Sequence, residues 1–380
     1  MVIYSVIMAG GGGTRFWPLS RQELPKQMHN ITGNDIMINE TIDRIKNIVP
    51  YENTYIVTAD RQKELLKSVI NPQISVQNIL AEPMPRNTAP CILYAAMKIY
   101  KEHGDGIMFV LPADHYISNV PEFNRILRKA AGVAEVTDKL ITIGIKPTFP
   151  STGYGYIQYN MQNELVYRLE TMPAGDEADG NTSTLHELSG VYEVEQFIEK
   201  PDRESAKSYI ESGNFLWNSG MFIWKVSVIM DNFKRYLPRI YDEMESYLKA
   251  KDEKDEMEAL EKAYSRIKGI SIDYGILERS NDVYVIPGDF GWNDIGSWDA
   301  LGAIFPPDEN GNIIKADFIE IDTKNSIIYG QGKQLIATVG LKDMIVVNTD
   351  DALLICPKTR AQEVKDIVDK LKKNGRNDLL

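Results

Sequence analysis

Residues 8–26 read M-A-G-G-G-G-T-R-F-W-P-L-S-R-Q-E-L-P-K, four consecutive glycines (Gly10, Gly11, Gly12, Gly13) followed by the cations Arg15 and Lys26. Glycines reach positive φ without steric cost, so the backbone N–H groups of such a loop can converge on an anion, and phosphate is the natural guest. Two cations close behind suit a polyphosphate. A P-loop is excluded because Arg15 and Phe16 stand where it needs Lys and Ser or Thr. A dinucleotide fingerprint is excluded because Arg15 occupies its third glycine and Pro18 and Pro25 interrupt any helix that would open there.

Three further groups carry chemistry. Asp114, in L-P-A-D-H-Y at 111–116, ends a short apolar run, while Asp289 and Asp294 lie in G-D-F-G-W-N-D-I-G-S-W at 288–298. Two such carboxylates can share one hard cation, and Mg²⁺ prefers a few carboxylates completed by substrate phosphate oxygens. The simpler reading of an Asp in a turn is side-chain capping, favoured at Asp289 over Asp294. Glu199 and Lys200, in F-I-E-K-P-D at 197–202, set an acid beside a base. Alternate side chains of a strand point oppositely, so both serve one ligand only if the strand stops there, which Pro201 favours. Asn218, in W-N-S-G-M-F at 217–222, is an amide in an aromatic setting suited to sugar. A surface ion pair and a turn are the plainer alternatives for these last two groups.

The elements that must hold these residues alternate. An apolar run at 2–7 reads as a buried strand feeding the glycine loop. Helical spacing follows at Ile38, Ile42, Ile45 and Val49 behind a cap at Asp35, then a strand at 54–58, a helix around 65–69 and a strand at 76–80. A helix at 90–101 capped by Thr88, strands at 107–111 and 140–145, and a helix at 121–136 complete the rhythm. The expected fold class is therefore α/β, a Rossmann-like, mostly parallel sheet covered by helices. Sites in such sheets lie beyond the carboxyl ends of strands, which selects 10–15, 81–88, 112–115 and 146–156. Later come strands at 154–159 and 192–198, with a polar patch at 174–183 between them that reads as a loop, helices at 202–212 and 226–236, and a charged helical pair at 241–267.

Residues 306–311, P-P-D-E-N-G, are a cluster of breakers and divide the chain into a catalytic domain, 1–305, and a small C-terminal domain, 306–380. Short apolar runs about eight residues apart between 318 and 355 suit stacked strands in a small β-helix-like module, closed by a helix at 361–373. Packing or oligomerisation is its expected role, and the chain is expected to form a homo-oligomer, a dimer.

Composition bounds the partners. With 380 residues, 43% hydrophobic and 25% charged, the chain has ordinary globular composition, and a net charge of -12 without a basic block argues against nucleic acid. No leader or membrane-length apolar run is visible, so a cytoplasmic protein is expected. Two cysteines and four scattered histidines imply neither a disulfide framework nor a thiolate or imidazole metal cluster.

In order and wording, G-G-G-G-T-R-F-W-P-L-S-R with P-K-Q, A-E-P-M-P-R-N-T-A-P, L-P-A-D-H, G-Y-G-Y-I, F-I-E-K-P-D, W-N-S-G-M-F and G-D-F-G-W-N-D-I-G-S-W resemble the nucleotidyltransferases that make nucleotide-sugars, over about residues 3–305. The second and last motifs suggest the mannose-1-phosphate guanylyltransferase branch. The resemblance implies that GTP and mannose 1-phosphate give GDP-mannose and pyrophosphate by in-line attack with Mg²⁺. It also implies that Gly10, Gly11, Gly12, Gly13 and Thr14 cradle the nucleotide, Arg15 holds the β- and γ-phosphates, Lys26 the α-phosphate, and Asp114 and Asp294 the metal. Lys200 would neutralise the sugar phosphate, with Gly153, Glu199 and Asn218 on the sugar hydroxyls. Glu82 fits guanine, whose adjacent N–H donors a carboxylate accepts in pairs, with Arg86, Asn87 and Thr88 in the same loop. Small departures are Phe16, where Leu is usual, and Met28-His29 after P-K-Q. Longer relatives carry a fused cupin-type isomerase, an activity not expected here. A transferase for another sugar or base, and a silent nucleotide-sugar sensor, are the alternatives; retention of Arg15, Lys26, Asp114, Lys200 and Asp294 speaks against the sensor.

Overall fold

The computed structural model describes residues 1–171 and 184–380. Its strands are β1 (Ile3–Met8), β2 (Thr54–Ala59), β3 (Ile79–Glu82), β4 (Ile107–Pro112), the short β5 (Tyr116–Ile117), β6 (Leu140–Ile145), β7 (Gly155–Thr171), β8 (Thr184–Glu199), β9 (Phe215–Lys225) and β10 (Val283–Gly288). Between them run α1 (Met37–Ile45), α2 (Lys63–Val69), α3 (Thr88–His103), α4 (Val120–Val136), α5 (Arg203–Ser212), α6 (Val226–Tyr236), α7 (Pro238–Lys249) and α8 (Glu253–Arg266). All the strands except β5 form one sheet in the order β3-β2-β1-β4-β9-β6-β10-β8-β7. β1 to β4 are parallel, as are β6 and β10, while β9 is inserted antiparallel between β4 and β6.

Period-two alternation sorts the core. Tyr4 and Val6 of β1 face a cluster with α3 and α6 residues, whereas Ile7 faces a second cluster with Ile38, Ile42 and α4 residues such as Leu127. Burial on both faces explains why these strands read as continuous apolar runs rather than as alternating ones.

Several local expectations need correction. Asp35 is not the side-chain cap of α1: Ile36 is the boundary residue, and Asp35 Oδ1 accepts only the Ile36 N–H at 2.6 Å. At α3 the cap is Asn87, whose Oδ1 accepts the Thr88 N–H at 2.8 Å. The loop expected at 174–183 lies outside the described residues, while 161–171 and 184–190 belong to β7 and β8, which pair along their length. The strand foreseen at 76–80 begins later, at Ile79, after a 3₁₀ turn.

Beyond β11 (Trp292–Asn293), which pairs with β5, the chain winds through β12 (Ile313–Lys315), β13 (Phe318–Ile321), β14 (Ile327–Gly330), β15 (Ile336–Val339), β16 (Met344–Asn348) and β17 (Leu353–Pro357) to α9 (Val364–Lys373). β12, β14 and β16 stack in parallel and so do β13 and β15, giving the coils of a β-helix, which antiparallel β17 closes. This module shares a core with the glycine loop. Phe16, Trp17 and Leu19 pack in one cluster with Trp298, Ile345, Val347, Val364 and Val368. The Trp298 indole N–H donates to the Trp17 carbonyl at 3.1 Å, and the Trp17 indole N–H donates to the Leu379 carbonyl at 2.9 Å.

Candidate active site

The parallel register of β1 and β4 sets Met8 opposite Pro112, so the glycine loop and Asp114 leave neighbouring strand ends together. Gly13 turns the loop with φ 54° into a 3₁₀ turn at Thr14–Phe16. A Cβ on Gly13 would lie 2.6 Å from Lys26 Cβ, so only glycine lets the loop pass this close. Beside it opens a cavity of about 580 Å³ lined by Gly10, Gly11, Gly12, Asp60, Glu82, Arg86, Asn87 and Thr88. Glu82 is 7% exposed, accepts a hydrogen bond from the Tyr264 hydroxyl at 3.1 Å, and has its pKa pushed up to about 7 by burial, which that bond only partly offsets. Arg86 is braced by the Tyr264 carbonyl at 2.8 Å, and Thr88 Oγ1 accepts the Ile272 N–H at 2.9 Å.

A second cavity, about 240 Å³, is lined by Gly13, Thr14, Arg15, Lys26, Asp114, His115, Asp294 and Gly296. Lys26, only 3% exposed, donates to Asp114 Oδ2 at 2.9 Å and to the carbonyls of Asp114 at 3.0 Å and Asp294 at 2.8 Å. It therefore ties the two aspartate segments together. Enclosure works against ionisation of Asp114, but Lys26, then His115, outweigh it and hold the carboxyl below its usual value. Burial lowers the His115 pKa despite both aspartates, and its Nδ1 accepts the Trp292 indole N–H at 3.1 Å. Asp294 Oδ1 accepts the Tyr154 hydroxyl at 2.8 Å. Asp289, by contrast, is exposed and outside this group.

The third part lies across an aromatic wall, where Tyr154 meets Trp217 and Trp292 at centroid distances of 5.0 and 5.4 Å. W-N-S-G-M-F is not a turn but part of β9, and because β9 runs antiparallel its early residue Asn218 lies opposite Gly144, near the carboxyl end of β6. β8 ends at Glu199 as Pro201 foretold, and Lys200 takes φ 48°, which swings it out of the strand so that its Nζ pairs with Glu199 Oε1 at 2.8 Å. Glu199 and Asn218 converge over Gly155, where a Cβ would sit 2.5 Å from Glu199 Oε2. Gly153 is exposed at the approach, its N–H on Ser151 Oγ at 3.2 Å.

The foreseen residues thus fall into three adjoining groups, and four partners were missed. Asp273 accepts the Asn218 Nδ2–H at 2.7 Å, with its pKa raised by burial and then by Glu199. Its signal was a lone acid in the apolar run G-I-S-I-D-Y-G-I-L. Tyr154 opens the strand expected at 154–159 and Tyr264 lies in the charged helical pair, and neither was singled out, while Gln362, whose Oε1 accepts from Arg15 at 3.1 Å, gave no signal in its polar surface stretch.

Among the described residues no cluster of three or more His, Cys, Asp or Glu could hold a metal. Asp114 and Asp294 on one cavity are a two-carboxylate set, which fits a cation that completes its shell with phosphate oxygens and water.

Residues 4–311 match the family model described as nucleotidyl transferase. The chain belongs to that family. As a nucleotidyl transferase it also carries, at 316–371, a match to the MannoseP isomerase/GMP-like beta-helix domain. It is 36% identical to mannose-1-phosphate guanylyltransferase of Escherichia coli, over 99% of this chain and 75% of that one. It is also 36% identical to xanthan biosynthesis protein XanB of Xanthomonas campestris pv. campestris, over 99% of this chain and 74% of that one. A crystal structure from Thermus thermophilus, described as mannose-1-phosphate geranyltransferase, superposes with a TM-score of 0.82 at 30% identity, over 98% of this chain and 100% of that one. The nucleotidyl transferase reading of the glycine loop and the β-helix reading of the C-terminal module both agree with these matches. No helix among the described residues is long and apolar enough to cross a membrane.

Proposed function

We propose that this chain transfers GMP from GTP to α-D-mannose 1-phosphate, giving GDP-mannose and pyrophosphate. The observation that carries the reading is the gathering of Arg15, Lys26, Asp114 and Asp294 around one cavity, between a base-sized cavity with a buried acid and a cleft with Glu199, Lys200 and Asn218. A phosphate oxygen of the sugar phosphate forms a bond to the α-phosphorus as the bond to the bridging oxygen of pyrophosphate breaks. That oxygen leaves with both electrons, so no protein nucleophile is required.

Catalysis is then positioning and charge neutralisation. The glycine loop holds the triphosphate, Arg15 its β- and γ-phosphates, and Glu82 the guanine edge. Lys26 holds Asp114 and Asp294 in register and lies where charge on the α-phosphate grows. Lys200 receives the sugar phosphate, while Glu199 and Asn218, steadied by Asp273, meet sugar hydroxyls. Asp114 and Asp294 would hold Mg²⁺, which when bound neutralises phosphate charge. Residues 1–305 form the catalytic domain and 306–380 the β-helix-like one, in a cytoplasmic homodimer supported by the exposed apolar side chains Ile319, Ile321 and Val339.

Pyrophosphate release across a panel of nucleoside triphosphates and sugar 1-phosphates tests this. GTP with mannose 1-phosphate should give the highest kcat/KM. A different best pair would make it another sugar-nucleotide transferase, and silence across the panel would make it a sensor.

A further inference from the structure

The C-terminal module reaches the phosphate site through one side chain. Gln362 lies in a 3₁₀ turn, Lys358–Glu363, between β17 and α9, and the buried Ala361 and Val364 on either side fix its backbone. Its Oε1 accepts from Arg15 Nη1 at 3.1 Å, and its Nε2 donates to Ser297 Oγ at 2.6 Å. Ser297, 2% exposed, gives its own proton to Asp299 Oδ1 at 2.5 Å. With its proton committed there, the Ser297 oxygen can only accept from Gln362, and this sets the amide with Nε2 inward and Oε1 on the guanidinium. Among the described residues Gln362 is the one hydrogen-bond acceptor of Arg15.

The alternative partner is close. A Cβ on Gly296 would lie 3.0 Å from Asp294 Oδ2 and 3.2 Å from Arg15 Nη1, so the guanidinium passes over Gly296 next to a carboxylate, without an ion pair to it. A guanidinium that paired with Asp294 would withdraw its charge from an incoming triphosphate and crowd a carboxylate intended for a cation. A neutral amide orients the arginine without neutralising it.

Resting on the nucleotidyltransfer reading above, we propose that Gln362 is a positioning residue that holds Arg15 ready for the β- and γ-phosphates of the nucleotide, so that the β-helix-like module completes the active site. The hydrogen bond is one neutral-to-charged contact at the rim of the cleft, and its loss should cost roughly threefold to tenfold in affinity.

The test is equilibrium binding of GTP, pyrophosphate and GMP to the full chain, for Gln362→Ala, Gln362→Glu, Arg15→Ala and the double variant Arg15→Ala with Gln362→Ala. Gln362→Ala should weaken GTP and pyrophosphate by that factor and leave GMP and the melting temperature unchanged. Gln362→Glu, which pairs the arginine, should weaken them at least as much. In the Arg15→Ala background the Gln362→Ala change should have no further effect. Equal weakening of GMP, a persisting effect without Arg15, or unchanged GTP and pyrophosphate binding in Gln362→Ala would overturn the proposal. If Arg15→Ala itself leaves GTP affinity unchanged, the phosphate role of Arg15 fails first, and the two failures are told apart.

Discussion

Glu82 ties nucleotide affinity to pH in a window that can be worked from the structure. Its pKa is pushed up to about 7 in the fold by burial, against 4.5 for the ordinary side chain, and the hydrogen bond from the Tyr264 hydroxyl offsets this only in part. A carboxyl that accepts two guanine N–H bonds must be ionised. With a pKa of about 7 it is about one-tenth ionised at pH 6 and about nine-tenths at pH 8. Affinity for the base should therefore rise about tenfold between those pH values. GDP-mannose is the probe, since its pyrophosphate carries no group that titrates in this window, and its dissociation constant should be measured at half-unit steps. Glu82→Gln should flatten the profile and bind weakly throughout, because one guanine donor then faces an amide N–H. The same shift sets the sign of the stability effect. The folded pKa lies above the unfolded one, so the folded state holds the proton more tightly, and stability is greatest below about pH 4.5 and falls as pH rises to about 7. The full loss is about 3 kcal/mol, and at pH 8 the Gln variant should be the more stable by an amount of that order. A flat wild-type binding profile, or an equal slope in the Gln variant, would refute the assignment of Glu82 to the base.

Asp294→Asn should leave the melting temperature nearly unchanged and reduce turnover strongly at any Mg²⁺ concentration, and normal Mg²⁺-dependent rates would remove Asp294 from the metal site. Lys200→Ala should forfeit one charge-assisted bond, roughly tenfold to a hundredfold in KM for mannose 1-phosphate, with GTP binding intact. Lys26→Ala should lower kcat by a similar factor and also melt earlier, because it strips a donor from Asp114 and from two carbonyls; equal GTP loss in both lysine variants would end the division of the cleft. Trp298→Ala removes a fully buried indole packed on Phe16 and Tyr329 and should cost about 3–5 kcal/mol by chemical denaturation, with nucleotide binding failing as the glycine loop loosens.

Much of the frame was legible because it is written locally. Apolar runs of strand length between helical periods name β1 to β4, and a glycine run behind a strand names the loop. The misreadings have physical causes. The turn that was the plainer alternative at Asn218, with Ser219 and Gly220 behind it, does not form, because sheet pairing on both sides holds the segment extended. Thr88 and Asn87 are both good caps, and only the backbone at Asn87, with φ 68°, decides between them. Gln362 was beyond reach because it acts on Arg15, far away in the chain, and pairing at that distance leaves no local pattern; Asp273 stood out only as an acid in an apolar run, with nothing nearby to name Asn218 as its partner.

The shared core beneath the glycine loop also governs when the protein can begin to work. Arg15 and Gln362 are 347 residues apart in the chain, and Phe16 and Trp17 lie against side chains of α9. At a synthesis rate of about 5–20 residues per second, the loop emerges from the ribosome roughly 20 to 70 seconds before the residues that pack against it. During that interval β1 to β4 can pair, but of the cluster around Phe16 and Trp17 only Leu19, Ile31 and Met37 are present, and Trp298 and the β-helix side chains are still to come. The nascent chain therefore carries half-covered aromatics beside a phosphate site that stays incomplete until its last helix has been made.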